Sequence, residues 1–243
     1  MLYTLKNKIR NKIRGLKKGN LSVNDRCEFF EVDGWVLSDF ILKKIIPITG
    51  VRPFPMGELE LMTAAVCRIK PTHIFEWGTH IGKSARIFYE ACKLYSPQTE
   101  IHSTDLPDTA DHEEHPRNKR ALLVKNIKAV HLHQGDGLDT SLQILKKATN
   151  IAGKTYGVNP LFFIDGDHSY DSVRRELQGI YAAFPQSHIL LHDTFLQSKE
   201  SEYNIGPHEA LEEFLTDKRD KYQVIATETG LPGMTLLYRK SVT

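Results

Sequence analysis

Apolar residues along the chain follow two alternating rhythms. Short continuous runs such as Leu161-Phe162-Phe163-Ile164 are separated by longer stretches in which apolar positions recur every three or four residues. The runs read as strands and the stretches as amphipathic helices. Strands are expected at Thr72–Trp77, at Glu100–Thr104 with Asp105 at its end, at Val130–Gln134, at Leu161–Ile164 and at His188–Leu191. Helices are expected at Gly57–Ile69, Lys83–Leu94, near Lys119–Ile127, at about Leu138–Thr149, at Asp171–Phe184 and at Gly206–Leu215. Leu59, Leu61, Met62, Ala65 and Val66 give the first helix its apolar face, and Val173, Leu177, Ile180 and Tyr181 do so for the fifth. Strands alternating with helices predict an α/β fold, a doubly wound and mostly parallel sheet with helices on both faces. The unbroken run at 161–164 fits a central parallel strand covered on both sides. Tyr222–Ala226 and Met234–Tyr238 flank the turn Gly230-Leu231-Pro232-Gly233, so the chain should close with a hairpin that makes the last of seven strands antiparallel.

The alternation of strand and helix is absent from residues 1–56, which read as a basic N-terminal helix and a cap region ahead of the main domain at 57–243. In residues 1–20, Lys6, Lys8, Arg10, Lys12, Arg14, Lys17 and Lys18 lie mostly between Leu2, Leu5, Ile9, Ile13 and Leu16, with no acid among them. A short basic amphipathic helix can rest on an anionic membrane surface as a peripheral contact. The alternative is that its apolar stripe docks on the domain or on a second subunit, and a homo-oligomer is expected. Residues 21–56 are broken by Gly34, Pro47, Gly50, Pro53 and Pro55. There Phe29, Phe30, Trp35, Phe40 and Ile41 are expected to cover one rim of the domain as a substrate-facing cap.

Composition narrows the class without changing the picture. The chain has 243 residues, 40% hydrophobic and 26% charged, enough for one globular α/β domain with short additions. With 32 basic and 30 acidic residues the net charge is +2, which gives no reason to expect a nucleic-acid partner. Cys27, Cys67 and Cys92 form no C-x-x-C pair, which argues against a zinc ribbon or a disulfide framework and fits a reducing compartment. No apolar run approaches the length of a membrane span, and the N-terminus lacks the apolar core of a signal peptide. A cytoplasmic location is expected.

The first chemical stretch is Glu76-Trp77-Gly78-Thr79-His80-Ile81-Gly82-Lys83-Ser84. A strand, a glycine turn and a helix start bring backbone N–H groups close to a ligand. A dinucleotide fingerprint would read G-x-G-x-x-G with its first glycine at the strand end. Here the pattern is E-x-G-x-x-x-G-x-S, and Glu76 holds that place. A carboxylate there repels a pyrophosphate and attracts an ammonium group. The plain alternative is a strand–turn–helix junction that needs two glycines. Asp105, at the end of the second strand, stands where nucleotide-binding α/β folds hold ribose hydroxyls, unless it is only a turn or cap residue. In the polar loop that follows, Asp111, His112, Glu113 and His115 read either as metal ligands or as part of a solvated active-site loop. Gly135-Asp136-Gly137 follows the third strand.

The second chemical stretch joins two strand tips. Asp165-Gly166-Asp167-His168-Ser169-Tyr170 ends the fourth strand and His192-Asp193-Thr194 ends the fifth. In a parallel sheet, neighbouring tips open on one edge. Two carboxylates converging there suit a hard dication such as Mg²⁺. Otherwise Asp165 caps a helix and Asp193 begins a turn.

Taken in order over residues 57–239, the glycine loop, Asp105, the Asp165-x-x-His168 stretch, His192-Asp193 and the final hairpin resemble the metal-dependent O-methyltransferases of the class I S-adenosylmethionine (SAM) family. The Phe163–Tyr170 stretch is similar to the group that includes cephalosporin-hydroxylase-like proteins and sugar O-methyltransferases. The resemblance implies a Rossmann-like fold and SAM as cofactor. It implies that Glu76, Gly78, Thr79, Gly82 and Ser84 hold the methionine end, Asp105 the ribose, and Asp136 and Gly137 the adenine, with Asp165 beside them. It further implies Mg²⁺ on Asp165 and Asp193, with His192 as third ligand, and His168 as base. Some relatives carry an acid where His192 stands, and catechol-type relatives carry Asn where Thr194 stands. The acceptor implied is a hydroxyl of a sugar, a glycan or another small metabolite. The metal lowers the cost of the alkoxide and a neutral His takes the proton, while the SAM sulfonium supplies the methyl group. Two other readings stay open at this point: an NAD(P)-dependent oxidoreductase, against which the missing first glycine weighs, and a non-catalytic scaffold of the same fold.

Overall fold

A computed structural model describes residues 29–112, 116–152 and 157–240. The basic segment 1–20, together with Cys27, Glu113 and His115, lies outside the described residues. The main elements are α1 (Gly34–Phe40), α2 (Met56–Ile69), β1 (His73–Trp77), α3 (Lys83–Tyr95), β2 (Glu100–Asp105), β3 (Val130–Gln134), α4 (Gly137–Ala152), β4 (Pro160–Ile164), α5 (Tyr170–Ala183), β5 (His188–His192), α6 (Gly206–Leu215), β6 (Tyr222–Ala226) and β7 (Met234–Arg239). The seven strands form one sheet in the order β3-β2-β1-β4-β5-β7-β6. β1 pairs in parallel with β2 and β4, as do β2 with β3 and β4 with β5. β7 runs antiparallel to both β5 and β6. The expected doubly wound, Rossmann-like architecture is the observed one.

The pleat divides the core in two. Ile74, Leu161, Phe163, Leu190 and Leu236 point to the face covered by Leu59 and Met62 of α2 and Ile87 and Phe88 of α3. Their neighbours Phe75, Trp77, Phe162, Ile164, Ile189 and Leu191 point to the other face, under Leu138 and Leu145 of α4, Val173 and Leu177 of α5, and Leu211 and Phe214 of α6. Successive strand residues thus both enter the core, which is why the strands read as unbroken apolar runs.

Two expectations need correction. No regular helix forms at Lys119–Ile127; a single 3₁₀ turn at Arg117–Lys119 leads into turns. The N–H of Ala121 donates to His80 O and that of Leu123 to Ile81 O, so these donors serve the glycine loop instead of a helix ladder. The N-terminal rim is covered only in part by the aromatic set. Ile41 is buried, and Phe30 and Phe40 pack against the core, but Phe29 and Trp35 are exposed. After α1 the chain widens into a π-helical segment, Ile41–Ile45, before a last helical turn, Ile46–Thr49. Pro47 has no N–H to give to the preceding turn, and this local widening absorbs the mismatch.

Candidate active site

The Gly78–Gly82 loop lies over the tips of β1 and β4. A Cβ on Gly78, which has φ of +96°, would sit 2.2 Å from the carbonyl oxygen of Asp165. Gly82 also has positive φ, and there a Cβ would meet Val124 at 2.8 Å. Both glycines are therefore required by close packing as well as by backbone sign. Below the loop, the Thr79 and Ser103 hydroxyls are 2.6 Å apart, and Ser103 Oγ donates to Glu76 Oε1 at 2.9 Å. Glu76 is fully buried, so it supports the loop from beneath. Burial, only partly offset by the Ser103 hydrogen bond, pushes its carboxyl up to about 8. Its Oε2 has no hydrogen-bond partner among the described residues. Ser84 is buried in the first turn of α3.

Asp105 ends β2 facing the same edge. Its Oδ2 accepts from the N–H of His80 at 3.0 Å and lies 3.2 Å from Arg120 Nε, while Oδ1 accepts from the N–H of Leu106. A carboxylate offers about four acceptor sites, so it retains capacity for a hydroxyl. Asp136 has partners of its own. It accepts from the N–H of Asp139, capping α4, and pairs with Arg175 at 2.5 Å. Gly137 leaves room for the Trp77 indole, which a Cβ would meet at 2.3 Å.

At the tips of β4 and β5 four of the expected residues come together, and α2 adds a fifth. His192 Nδ1 lies 2.8 Å from Asp165 Oδ1 and 3.4 Å from Asp193 Oδ1, and its Nε2 lies 3.1 Å from Glu58 Oε2. His168 Nδ1 lies 2.7 Å from Asp193 Oδ2, which also accepts from Asn204. Burial opposes charge on His192, but Asp165, Glu58 and Asp193 outweigh it and hold the ring well above its ordinary value. The same contest raises His168, where burial is overcome by the hydrogen bond and charge of Asp193. Burial would raise Asp193, yet His168 and His192 hold it below the usual carboxylate range. Asp193 has φ of +59°, a left-handed conformation that a short polar side chain tolerates. Thr194 turns away, with its hydroxyl 2.7 Å from that of Thr235 on β7.

Sequence reasoning missed Glu58. It is buried in the first turn of α2, accepts from the N–H of Gly233 and grips His192. The available signal was an acid set directly beside Leu59, Leu61 and Met62 on a core helix. A cleft of about 590 Å³ opens at this edge, lined in part by Arg52, His80, Lys83, Tyr203 and Leu231. Burial and the Asp193 charge push the Tyr203 phenol up to about 12. His112, exposed in the loop after β2, is not among the residues that meet here.

The donor set can be tested for Mg²⁺. Asp165 and Asp193 offer the hard oxygen ligands such an ion takes, and buried Asp193 Oδ1 has no hydrogen-bond partner among the described residues. The carboxylate pair fits. His192 has a carboxylate at each ring nitrogen and would have to give up its Nδ1 proton to join as a ligand.

Residues 75–194 match a family model described as a methyltransferase domain. Over that stretch the chain is similar to methyltransferases, and its sheet order with antiparallel β7 gives it a Rossmann-like methyltransferase fold. Among solved structures, one described as an O-methyltransferase from Klebsiella pneumoniae is 15% identical, with 94% of this chain and 96% of that one covered and a TM-score of 0.51. A TDP-rhamnose 3'-O-methyltransferase of calicheamicin biosynthesis is 18% identical, with 82% and 85% covered and a TM-score of 0.53. A methyltransferase of Podospora anserina, solved with S-adenosylhomocysteine (SAH), is 15% identical, with 96% of both chains covered and a TM-score of 0.52. At these identities the likeness is one of fold. No curated protein sequence gives a significant match.

Proposed function

We propose that this chain transfers the methyl group of SAM to a hydroxyl oxygen of a sugar, a glycan or another small hydroxylated metabolite. The observation that carries the reading is the His168–Asp193 contact of 2.7 Å at the strand tips beside the glycine loop. Asp193 holds the proton on Nδ1, which leaves Nε2 of a neutral His168 free to take the proton of an acceptor hydroxyl. The Gly78–Gly82 loop, with Thr79 and Ser84, receives the methionine end of SAM over buried Glu76. Asp105 takes the ribose, and the Asp136-Gly137 turn borders the adenine.

Asp165 and Asp193 would hold Mg²⁺, with His192 as the third ligand once deprotonated. The ion would lower the cost of an alkoxide on the acceptor. Arg52 and Lys83 in the cleft favour an acceptor that carries negative charge, such as a sugar phosphate. Exposed Trp35, Phe29 and Leu42 support a covered face and hence a homo-oligomer. Among the described residues no helix is long and apolar enough to cross a membrane. The buried free thiol of Cys92 supports a reducing, cytoplasmic setting.

The test is conversion of SAM to SAH by the purified chain over a panel of hydroxylated acceptors, with titrations of SAM and NAD beside it. SAM should bind, NAD should not, and SAH should form only with an acceptor. His168→Ala should keep SAM affinity and lose roughly 10²–10⁴-fold in rate. Unchanged turnover in that variant would remove His168 from the chemistry. EDTA should stop turnover, and activity that persists would leave Asp165 and Asp193 as structural carboxylates.

A further inference from the structure

Far from the methyltransferase edge, the sheet carries a second group of chemistry-bearing side chains. His73 opens β1, Glu100 opens β2 opposite it, and His102 lies two residues further on. One donor atom from each of these three residues lies within 4.8 Å of the others. Four residue steps along β1, about 13 Å of strand, separate His73 from the Trp77 tip. His131 and His133 of β3 complete the cluster, stacked on His102 at centroid distances of 4.8 and 5.4 Å.

We propose that His73, Glu100 and His102 form a zinc site that clamps β1 to β2, separate from the methyl-transfer site. Each ring has one nitrogen already engaged. His73 Nδ1 lies 2.9 Å from Thr72 Oγ1, and His102 Nδ1 lies 3.2 Å from His133 Nε2. The second nitrogen of each remains for a metal, and a hydrogen bond at the first is the usual way a protein fixes a ligating imidazole. His102 Nε2 is the decisive atom. The residue is 6% exposed and this nitrogen has no hydrogen-bond partner among the described residues, although Glu100 Oε2 is 3.4 Å away. A buried polar atom left unsatisfied is costly, and a cation would satisfy it. Two imidazoles and one carboxylate suit zinc, with a fourth position for water. Glu100 is mostly exposed, which gives the ion an entry path.

Untagged full-length protein, stripped with chelator, should bind Zn²⁺ in calorimetry and gain thermal stability, without SAM present. His73→Gln and Glu100→Gln lie at the strand starts and spare the core. Each should weaken zinc at least about 10-fold, and His133→Gln, which acts through His102, about 10–100-fold. Asp165→Asn should leave this zinc affinity unchanged. Absence of zinc binding to the folded wild type would overturn the proposal. So would equal affinity in His73→Gln and Glu100→Gln, or loss of the zinc signal in Asp165→Asn, which would place the ion at the other edge.

Discussion

At Gly78 the chain passes so close to Asp165 that even one added methyl group has no room, and φ there is +96°. Gly78→Ala should therefore cost at least about 1–3 kcal/mol in stability from overpacking. It should also abolish SAM binding, because the Asp165 carbonyl and the loop cannot keep their separation. Calorimetry on the folded variant decides this; an unchanged dissociation constant would separate the loop from the cofactor site. Glu76 makes a different single-residue prediction. Its folded value of about 8 lies above the ordinary 4.5, so the stability it contributes is present below 4.5 and is lost as pH rises through 8. The melting temperature should fall over that window, and Glu76→Gln should flatten the slope. Equal slopes in the two proteins would show that Glu76 does not titrate there. The spacing of Glu76, Gly78 and Gly82 was legible in the sequence. The burial of Glu76 was not, because the carboxylate is sealed by Ser103 and Thr79, which lie on β2 and in the loop above it.

At the scale of elements, α2 does more than cover the sheet. Its buried Glu58 ties the tip of β5, through His192, to the turn before β7, through Gly233 N–H. Glu58→Ala would leave a charged His192 and a buried N–H short of a partner. The expected loss is about 3–5 kcal/mol. Chemical denaturation would measure it, and a loss below 1 kcal/mol would mean that His192 is neutral or solvated. The segment at Lys119–Ile127 teaches the opposite lesson. Ala121, Leu123, Val124 and Ile127 have helical spacing, but Arg117 and Ala121 adopt positive φ, and two N–H groups are taken by the glycine loop. Periodicity reports which face is buried. It does not report that a neighbouring loop will claim the backbone donors, and here that tertiary demand overrides the local pattern.

For the whole molecule, all seven strands and the candidate cofactor residues lie at positions 73–239, after residues 1–20. Deleting them should leave SAM affinity intact. Binding to anionic vesicles, or the oligomeric state, should change instead. A folded truncation that loses SAM would show that the segment completes the site. Light scattering on Trp35→Ser tests the exposed N-terminal face, since a shift towards monomer is expected if a second copy covers it.

The sequence by itself determined the elements, their α/β alternation and the residues standing at strand ends. Strand and helix periods are local properties, and a parallel sheet places every strand's C-terminal tip on one edge. Only the tertiary structure decided what those tips do to one another. His192 reads in the sequence as a residue beside Asp193, yet its contacts come from Glu58, 134 positions away, and from Asp165 on the next strand. The histidines of β1, β2 and β3 were likewise scattered letters until the register set His73 opposite Glu100 and His102 opposite His131. Charge, protonation and metal affinity depend on distances of a few ångströms between residues far apart in the chain, and sheet register and helix packing fix those distances.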